Sequence, residues 1–248
     1  MELKIITFNI RCCDDVNGHS IPERAERLFK ILERENADII GFQEYTDKWE
    51  EAALKILSEK YTFYNVWRDD AWHESSPVLY KTDRFDEIEK EAFWLSDTPE
   101  KMSKGWDELF DCPRICERVL LKEKSCGKTI QYLNTHYGFG DDCQQKSGRL
   151  ITKYSEKLNA PTFLTGDFNM EPNTPGYKTI LENFTDAGVD FNEPTFHNYY
   201  NDFENKKQHI DYGFYKNGVK ILSKKVLNDS FDGKYPSDHF GLCFTVEI

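Results

Sequence analysis

Carboxylates, side-chain amides and imidazoles recur in this sequence where apolar runs stop. Pro161-Thr162-Phe163-Leu164 reads as a short buried strand, and Thr165-Gly166-Asp167-Phe168-Asn169 follows it directly. Pro172, Pro175 and Gly176 then forbid the strand to continue. An acid and an amide two residues apart at a strand end can point into one cleft. Alone, such a pair is more often a turn than a site, so its company decides. Asn9 closes an alternating run from Leu3 to Ile10, and Glu44 follows the apolar run Ala37 to Phe42. His136 ends Tyr132-Leu133-Asn134-Thr135-His136, and Asp211 lies in His209-Ile210-Asp211-Tyr212. Ser237-Asp238-His239 precedes the run Leu242 to Val246. Carboxylates hold hard cations, and carboxylates and imidazoles move protons. Strand ends of layered α/β proteins gather along one rim, where sites are usually built.

The elements that must position these groups can be read from periodicity. Ser20-x-x-Glu23 is a capping box with Pro22 in the first turn, and Ala25, Leu28, Phe29, Ile31 and Leu32 form one helical stripe. Asp47-x-x-Glu50 opens a second helix with Trp49, Ala52, Ala53, Ile56 and Leu57 facing inward. Strands are expected at Tyr61–Trp67, Pro77–Tyr80, Phe85–Phe93, Arg118–Lys122, Thr129–Asn134, Ile210–Tyr215 and Val219–Val226. Helices are expected at Ser147–Leu158 and Pro175–Leu181. Tyr137 to Asp142 is expected to form a loop over the cleft. Alternating strands point to sheets packed on each other with helices outside, a layered α/β sandwich. No repeat or linker-like shift interrupts residues 1–248, so one domain is expected.

Bulk properties narrow the function. The chain is 39% hydrophobic and 15% aromatic, ample for a packed core. Its 44 acidic and 32 basic residues give a net charge of −12, which disfavours long polyanions without excluding a small phosphorylated substrate. Seven cysteines without zinc-ligand spacing read as reduced thiols, pointing to the cytoplasm, or to secretion if a precursor was trimmed. No run approaches the ~18 apolar residues of a membrane span.

Taken in order, Phe8-Asn9, Gly41-Phe42-Gln43-Glu44, Asn134-Thr135-His136, Gly166-Asp167-Phe168-Asn169, Ile210-Asp211-Tyr212 and Ser237-Asp238-His239 resemble the endonuclease/exonuclease/phosphatase superfamily. Phe93-Trp94-Leu95-Ser96-Asp97-Thr98-Pro99 with Lys104-Gly105-Trp106-Asp107 is similar to a bacterial subfamily related to deadenylase-type members. The resemblance implies a four-layer α/β/β/α sandwich of two packed mixed β-sheets flanked by helices. It implies a phosphoester hydrolase that uses Mg²⁺ or Mn²⁺; a monomer is expected. Glu44, Asn9 and Asp238 match the metal positions. Asp167 matches the acid that orients water, and Asn169 a donor to a phosphate oxygen. His239 matches an imidazole held by Asp211. Glu74-Ser75-Ser76-Pro77-Val78-Leu79-Tyr80-Lys81 is similar to a segment that implies a Glu74–His136 dyad near the leaving group. Arg114 resembles a phosphate-binding Arg, although Ile115-Cys116-Glu117 replaces the aromatic that commonly follows.

The substrate stays open between a nuclease of short single-stranded or nicked nucleic acid and a phosphatase of a small metabolite or lipid head group. Met170-Glu171-Pro172 lacks the Arg of the inositol-phosphatase branch. A glycosidase using Glu44 and Asp167 would need neither Asn169 nor two histidines. A non-catalytic binding protein should have lost some of these residues. Trp67, Trp72 and His73 could stack on a base or sugar, though core aromatics are commoner. Lys146, Arg149 and Lys153 read as a solvated helix face.

Overall fold

A computed structural model describes residues 1–188, 194–200 and 208–248. The N-terminal half contains β1 (Glu2–Asn9), α1 (Ile21–Glu35), β2 (Ile39–Gln43), β3 (Tyr45–Thr46), α2 (Asp47–Leu57), β4 (Tyr61–Tyr64), β5 (Glu74–Ser75), β6 (Val78–Lys81) and β7 (Phe85–Trp94). Then come β8 (Ile115–Glu123), β9 (Thr129–His136), α3 (Asp141–Ser155), β10 (Thr162–Asp167), α4 (Pro175–Leu181), β11 (Thr185–Asp186), β12 (Asp211–Lys216), β13 (Lys220–Leu227) and β14 (Gly241–Glu247).

Two six-stranded sheets result, ordered β13-β14-β1-β2-β6-β4 and β11-β12-β10-β9-β8-β7. Each is antiparallel except for one parallel pair, β1 with β2 and β9 with β10. Both sheets are therefore mixed. Alternation along each strand sets the layers. Leu3 and Ile5 of β1 face the other sheet and pack with Val119, Tyr132, Phe163 and Phe244. Ile6 and Phe8 turn outward onto Leu28 and Phe29 of α1 and Trp49 and Ala53 of α2. In the second sheet Leu133, Leu164, Tyr212 and Phe214 turn outward onto Ile151 and Tyr154 of α3 and Ile180 of α4. The result is the expected four-layer α/β/β/α sandwich. Among the described residues no helix is long and apolar enough to cross a membrane.

Several boundaries differ from those expected. The Tyr61 strand stops at Tyr64, and Trp67 stacks between Tyr45 and His73 and packs against the core. The third long helix begins at Asp141, six residues early, so Asp141 and Asp142 form its first turn and not a loop. Gly140 adopts φ +98° to start it, and the two carboxylates complement the positive helix terminus. The eighth strand begins at Ile115, because Cys116 and Glu117 pair in register with Thr135 and Asn134.

Candidate active site

The parallel pairs bring the polar strand ends together. In the first sheet Asn9 lies beside Gln43 in register, which leaves Glu44 one residue beyond β2, at φ +59°. In the second, Asp167 is flanked by His136 on β9 and Asp211 on β12. Glu44, His136 and Asp167, with Asn169, Asp238 and His239, line a cleft of about 970 Å³, and Asn9 and Asp211 are buried beside them.

Asn9 joins the two sheets. Its Nδ2 donates to Glu44 Oε1 (3.1 Å) and to Asp167 Oδ2 (2.9 Å), while its Oδ1 accepts from the Arg11 N–H (3.0 Å). Ser237 Oγ donates to the Asn9 carbonyl (2.7 Å), which ties the Asp238–His239 segment to the same strand end. Glu44 Oε2 accepts the Cys12 N–H (2.8 Å). Burial pushes the Glu44 carboxyl up, but the imidazoles of His136 and His239 and the Cys12 N–H outweigh it and hold the group below the usual carboxylate range. His136 is itself driven toward the neutral form, so His239 and the Cys12 N–H carry that effect at neutral pH.

Asp167 is buried and accepts the Asn169 N–H at Oδ1 (2.9 Å). Burial, then repulsion from Asp211, raises its pKa to about 7. Asp211 accepts from His239 Nδ1 (2.9 Å), and Thr195 Oγ1 accepts both the Ile210 and Asp211 N–H groups beneath the pair. Burial opposes the His239 charge, yet Asp211 prevails and raises its pKa to about 10. With Nδ1 committed to Asp211, Nε2 of His239 points toward Asp167 Oδ2 at 3.8 Å.

The dyad expected between Glu74 and His136 is not hydrogen-bonded. Their nearest charged atoms are 3.8 Å apart, and among the described residues His136 Nδ1 has no hydrogen-bond partner. Glu74 is held instead by Arg68 (2.5 Å), and burial raises its carboxyl to about 7. Burial and the guanidinium of Arg114 push His136 well below the ordinary histidine range. Asn169 Nδ2 approaches His136 Nε2 (3.1 Å) and donates to the Tyr137 carbonyl (2.9 Å). Arg114 lines the cleft but is also bound to Asp107 (3.0 and 3.1 Å). Lys146 pairs with Asp142 at the surface, as a solvated face should.

Arg11 and Arg68 are among the cleft residues that the sequence did not single out. Arg11 approaches Asp238 Oδ2 (3.8 Å) while bound to Asp15, and its place two residues past Asn9 was the available signal. Arg68 had no signal, lying in a loop of no recognisable pattern.

The donors suit a hard cation. Glu44 and Asp238 are carboxylates lining one cleft, and their mutual repulsion helps keep Asp238 raised, after burial. Glu44 Oε1 accepts from Asn9 and Oε2 from the Cys12 N–H, and lone pairs remain on these oxygens for a cation. Ligand-type atoms of Asp167, Asp211 and His239 also lie within 4.8 Å of one another. There the Asp211–His239 hydrogen bond uses Oδ2 of the one and Nδ1 of the other.

The model of the endonuclease/exonuclease/phosphatase family matches residues 6–239. The chain belongs to that family. Members are metal-dependent hydrolases of phosphoester bonds, and this chain is an enzyme of that class. A family protein from Bacteroides vulgatus superposes with a TM-score of 0.90 at 26% identity, covering 100% of this chain and 99% of that one. The mannosyl-6-phosphatase of Bacteroides thetaiotaomicron superposes with a TM-score of 0.89 at 26% identity, covering 99% and 100%. The fold extends to the D. rerio TDP2 complexed with single-strand DNA product, with a TM-score of 0.78 at 18% identity, covering 100% and 99%. Among curated proteins no sequence matches.

Proposed function

We infer that the chain, acting as one domain, hydrolyses a phosphate ester of a small polar metabolite, with Asp167 orienting the attacking water. The observation that carries this reading is the setting of Asp167. It is gripped by Asn9 and by the Asn169 N–H, and faces His239 Nε2 at 3.8 Å on the floor of the cleft.

Glu44 and Asp238 would hold a Mg²⁺ or Mn²⁺ ion, with Asn9 keeping Glu44 in place. When bound, such an ion supplies Lewis-acid polarisation of the phosphate and relieves charge on the leaving oxygen. Asp167 orients water and takes its proton. His239, fixed by Asp211, places Nε2 where negative charge grows on the phosphate. Asn169 and His136 face each other across 3.1 Å, so a phosphate oxygen entering between them replaces that contact with two donors. Arg114 lines the cleft as a cation for the phosphate, and Glu74 acts on His136 through space while bound to Arg68.

A small substrate is favoured by the net charge of −12 and by the whole-length similarity to a mannosyl-6-phosphatase. A short nucleic acid is the second reading, favoured by Trp72, which lines the cleft with 75% of its surface exposed and could stack on a base. The purified chain should hydrolyse bis-p-nitrophenyl phosphate or p-nitrophenyl phosphate with Mg²⁺ or Mn²⁺ and stop on adding EDTA. Asp167→Ala should lower kcat by about 10²–10⁴-fold. An unchanged rate in Asp167→Ala or His239→Ala would sink the assigned roles. A panel of sugar phosphates, phospholipids and single-stranded DNA and RNA separates the substrate readings.

A further inference from the structure

Adjacent cysteines lie on the loop that leaves β1, at the rim of the cleft. Cys12 Sγ and Cys13 Sγ are 3.1 Å apart, both as free thiols, with Cys13 exposed and Cys12 half-buried. The backbone around them is clamped. The buried Arg24 donates to the carbonyls of Ile10 (2.6 Å), Arg11 (3.1 Å) and Cys13, and Trp49 Nε1 donates to the Arg11 carbonyl (2.8 Å). The Cys12 N–H, part of the same peptide as the Arg11 carbonyl, holds Glu44 Oε2 at 2.8 Å. The thiol pair is thus one hydrogen bond away from Glu44.

We propose that Cys12 and Cys13 form a reversible oxidation site, closed to a disulfide by a peroxide, and that closure loosens Glu44. In the first step the Cys13 sulfur takes an oxygen atom from hydrogen peroxide, giving a sulfenic acid and releasing water. In the second, the Cys12 sulfur attacks the Cys13 sulfur, the sulfenic oxygen leaves with the Cys12 proton as a second water, and the S–S bond forms. Two thiols and one peroxide become one disulfide and two waters. Neighbouring Cα atoms are ~3.8 Å apart, below the usual disulfide range of ~4.4–6.8 Å, so the ring has to twist the linking backbone. The Arg11 and Cys13 carbonyls are pinned by Arg24 and Trp49. The twist starts in the Cys12–Cys13 peptide and passes through the Cys12 Cα to the Arg11–Cys12 plane, which turns about its pinned carbonyl oxygen and draws the Cys12 N–H off Glu44. A strained, exposed disulfide is readily reduced, as a reversible site requires.

The effect on Glu44 rests on the metal-site reading above, whereas formation of the bond does not. The two are measured separately. Peroxide-treated protein, alkylated and digested with trypsin, should yield the peptide Cys12–Arg24 two hydrogens lighter and unalkylated, and dithiothreitol should reverse this. Mn²⁺ affinity, read by titration calorimetry on the same samples, should weaken about 10- to 100-fold on oxidation, as when a supporting group of a metal ligand is lost. Hydrolysis should fall by a similar factor. Cys13→Ser should keep the affinity and activity of the reduced protein and be insensitive to the same treatment. Sulfinic acid at Cys13 without the light peptide would overturn the oxidation site. A closed disulfide with unchanged Mn²⁺ affinity would overturn its link to Glu44, whatever the enzyme's substrate proves to be.

Discussion

Asn9 is the side chain on which the two halves of the cleft depend, and replacing it is the sharpest perturbation available. It is wholly buried and sits between two carboxylates, donating to Glu44 and to Asp167 from the same nitrogen. Asn9→Ala deletes both bonds. Hydrogen bonds to charged groups are each worth about 1.5–3 kcal/mol, so about 3–6 kcal/mol of orientation is lost. If half of that, about 3 kcal/mol at the upper limit, is felt in the transition state, kcat/KM falls roughly 150-fold. Asn9→Asp keeps the shape but replaces the donor with a third carboxylate. Like charges ~4 Å apart repel by about 4 kcal/mol at an effective dielectric of 20, so the new group takes up a proton in the folded state. Its folded pKa is then raised above the unfolded value. The penalty is greatest above the folded pKa and fades as pH falls toward the unfolded value. Asn9→Asp should therefore be less stable and less active than Asn9→Ala at pH 8, and approach it at pH 5.5. Rates with p-nitrophenyl phosphate at saturating Mn²⁺ and urea unfolding at both pH values test this. Asn9→Ala within threefold of the natural chain, or two variants with the same pH dependence, would refute the bridging role.

Other consequences follow from the packing. Glu117 is fully buried on β8, where it accepts the Val66 N–H (3.2 Å), and burial raises its pKa well above normal. The unfolded chain releases this proton near pH ~4.3 while the folded one keeps it, so the group costs about 1.4 kcal/mol per pH unit between the two pKa values. Glu117→Gln should flatten that fall in urea-unfolding stability between pH 5 and 8. A Cβ at Gly41 would collide with the Asn134 side chain and the Tyr132 hydroxyl between the sheets. Gly41→Ala should lose about 1–3 kcal/mol or more, read as a drop in Tm. Arg114→Ala takes the cation from Asp107, which keeps the N–H groups of Leu109, Phe110 and Phe139, and should cost about 1–3 kcal/mol in the same measurement, besides any loss of rate.

Much of the fold was legible because the sheets alternate. Leu3 and Ile5 against Ile6 and Phe8 announce one strand with two buried faces, which only a strand between a sheet and a helix layer requires. The pairs β3 with β5 and β11 with β12 were not legible, being two residues long on one side, too short for a period to register. Helix α3 was missed at its start because Asp141-Asp142 looks like a turn until Gly140 supplies the unusual φ. In the site, Asn9, Glu44, Asp167, Asn169, Asp211, Asp238, His136 and His239 do line or support one cleft, with Glu74 and Arg114 at its edge. Partners were harder to read than positions. Which carboxylate Asn9 grips, or whether Glu74 meets His136 or Arg68, depends on distances across loops that no spacing encodes.

The arginines explain why. Arg24, Arg68 and Arg114 are all buried, and sequence alone treats such residues as surface groups, since arginine is rarely buried unless paired. Each clamps a loop that enters the cleft. Arg24 gathers the carbonyls of residues 10, 11, 13 and 19, Arg68 holds Glu74, and Arg114 holds Asp107. Asp107 Oδ1 in turn accepts the N–H groups of Leu109, Phe110 and Phe139. These loops cannot be stiffened by apolar packing, because their inner faces must present carboxylates and imidazoles to water and substrate. A planar cation with five donors can satisfy several carbonyls or a carboxylate at once, so it fixes loop shape where a hydrophobic core cannot. The acidic strand ends and the buried arginines are therefore one arrangement. The first supplies the groups that act on a phosphate, and the second holds their surrounding loops at fixed distances.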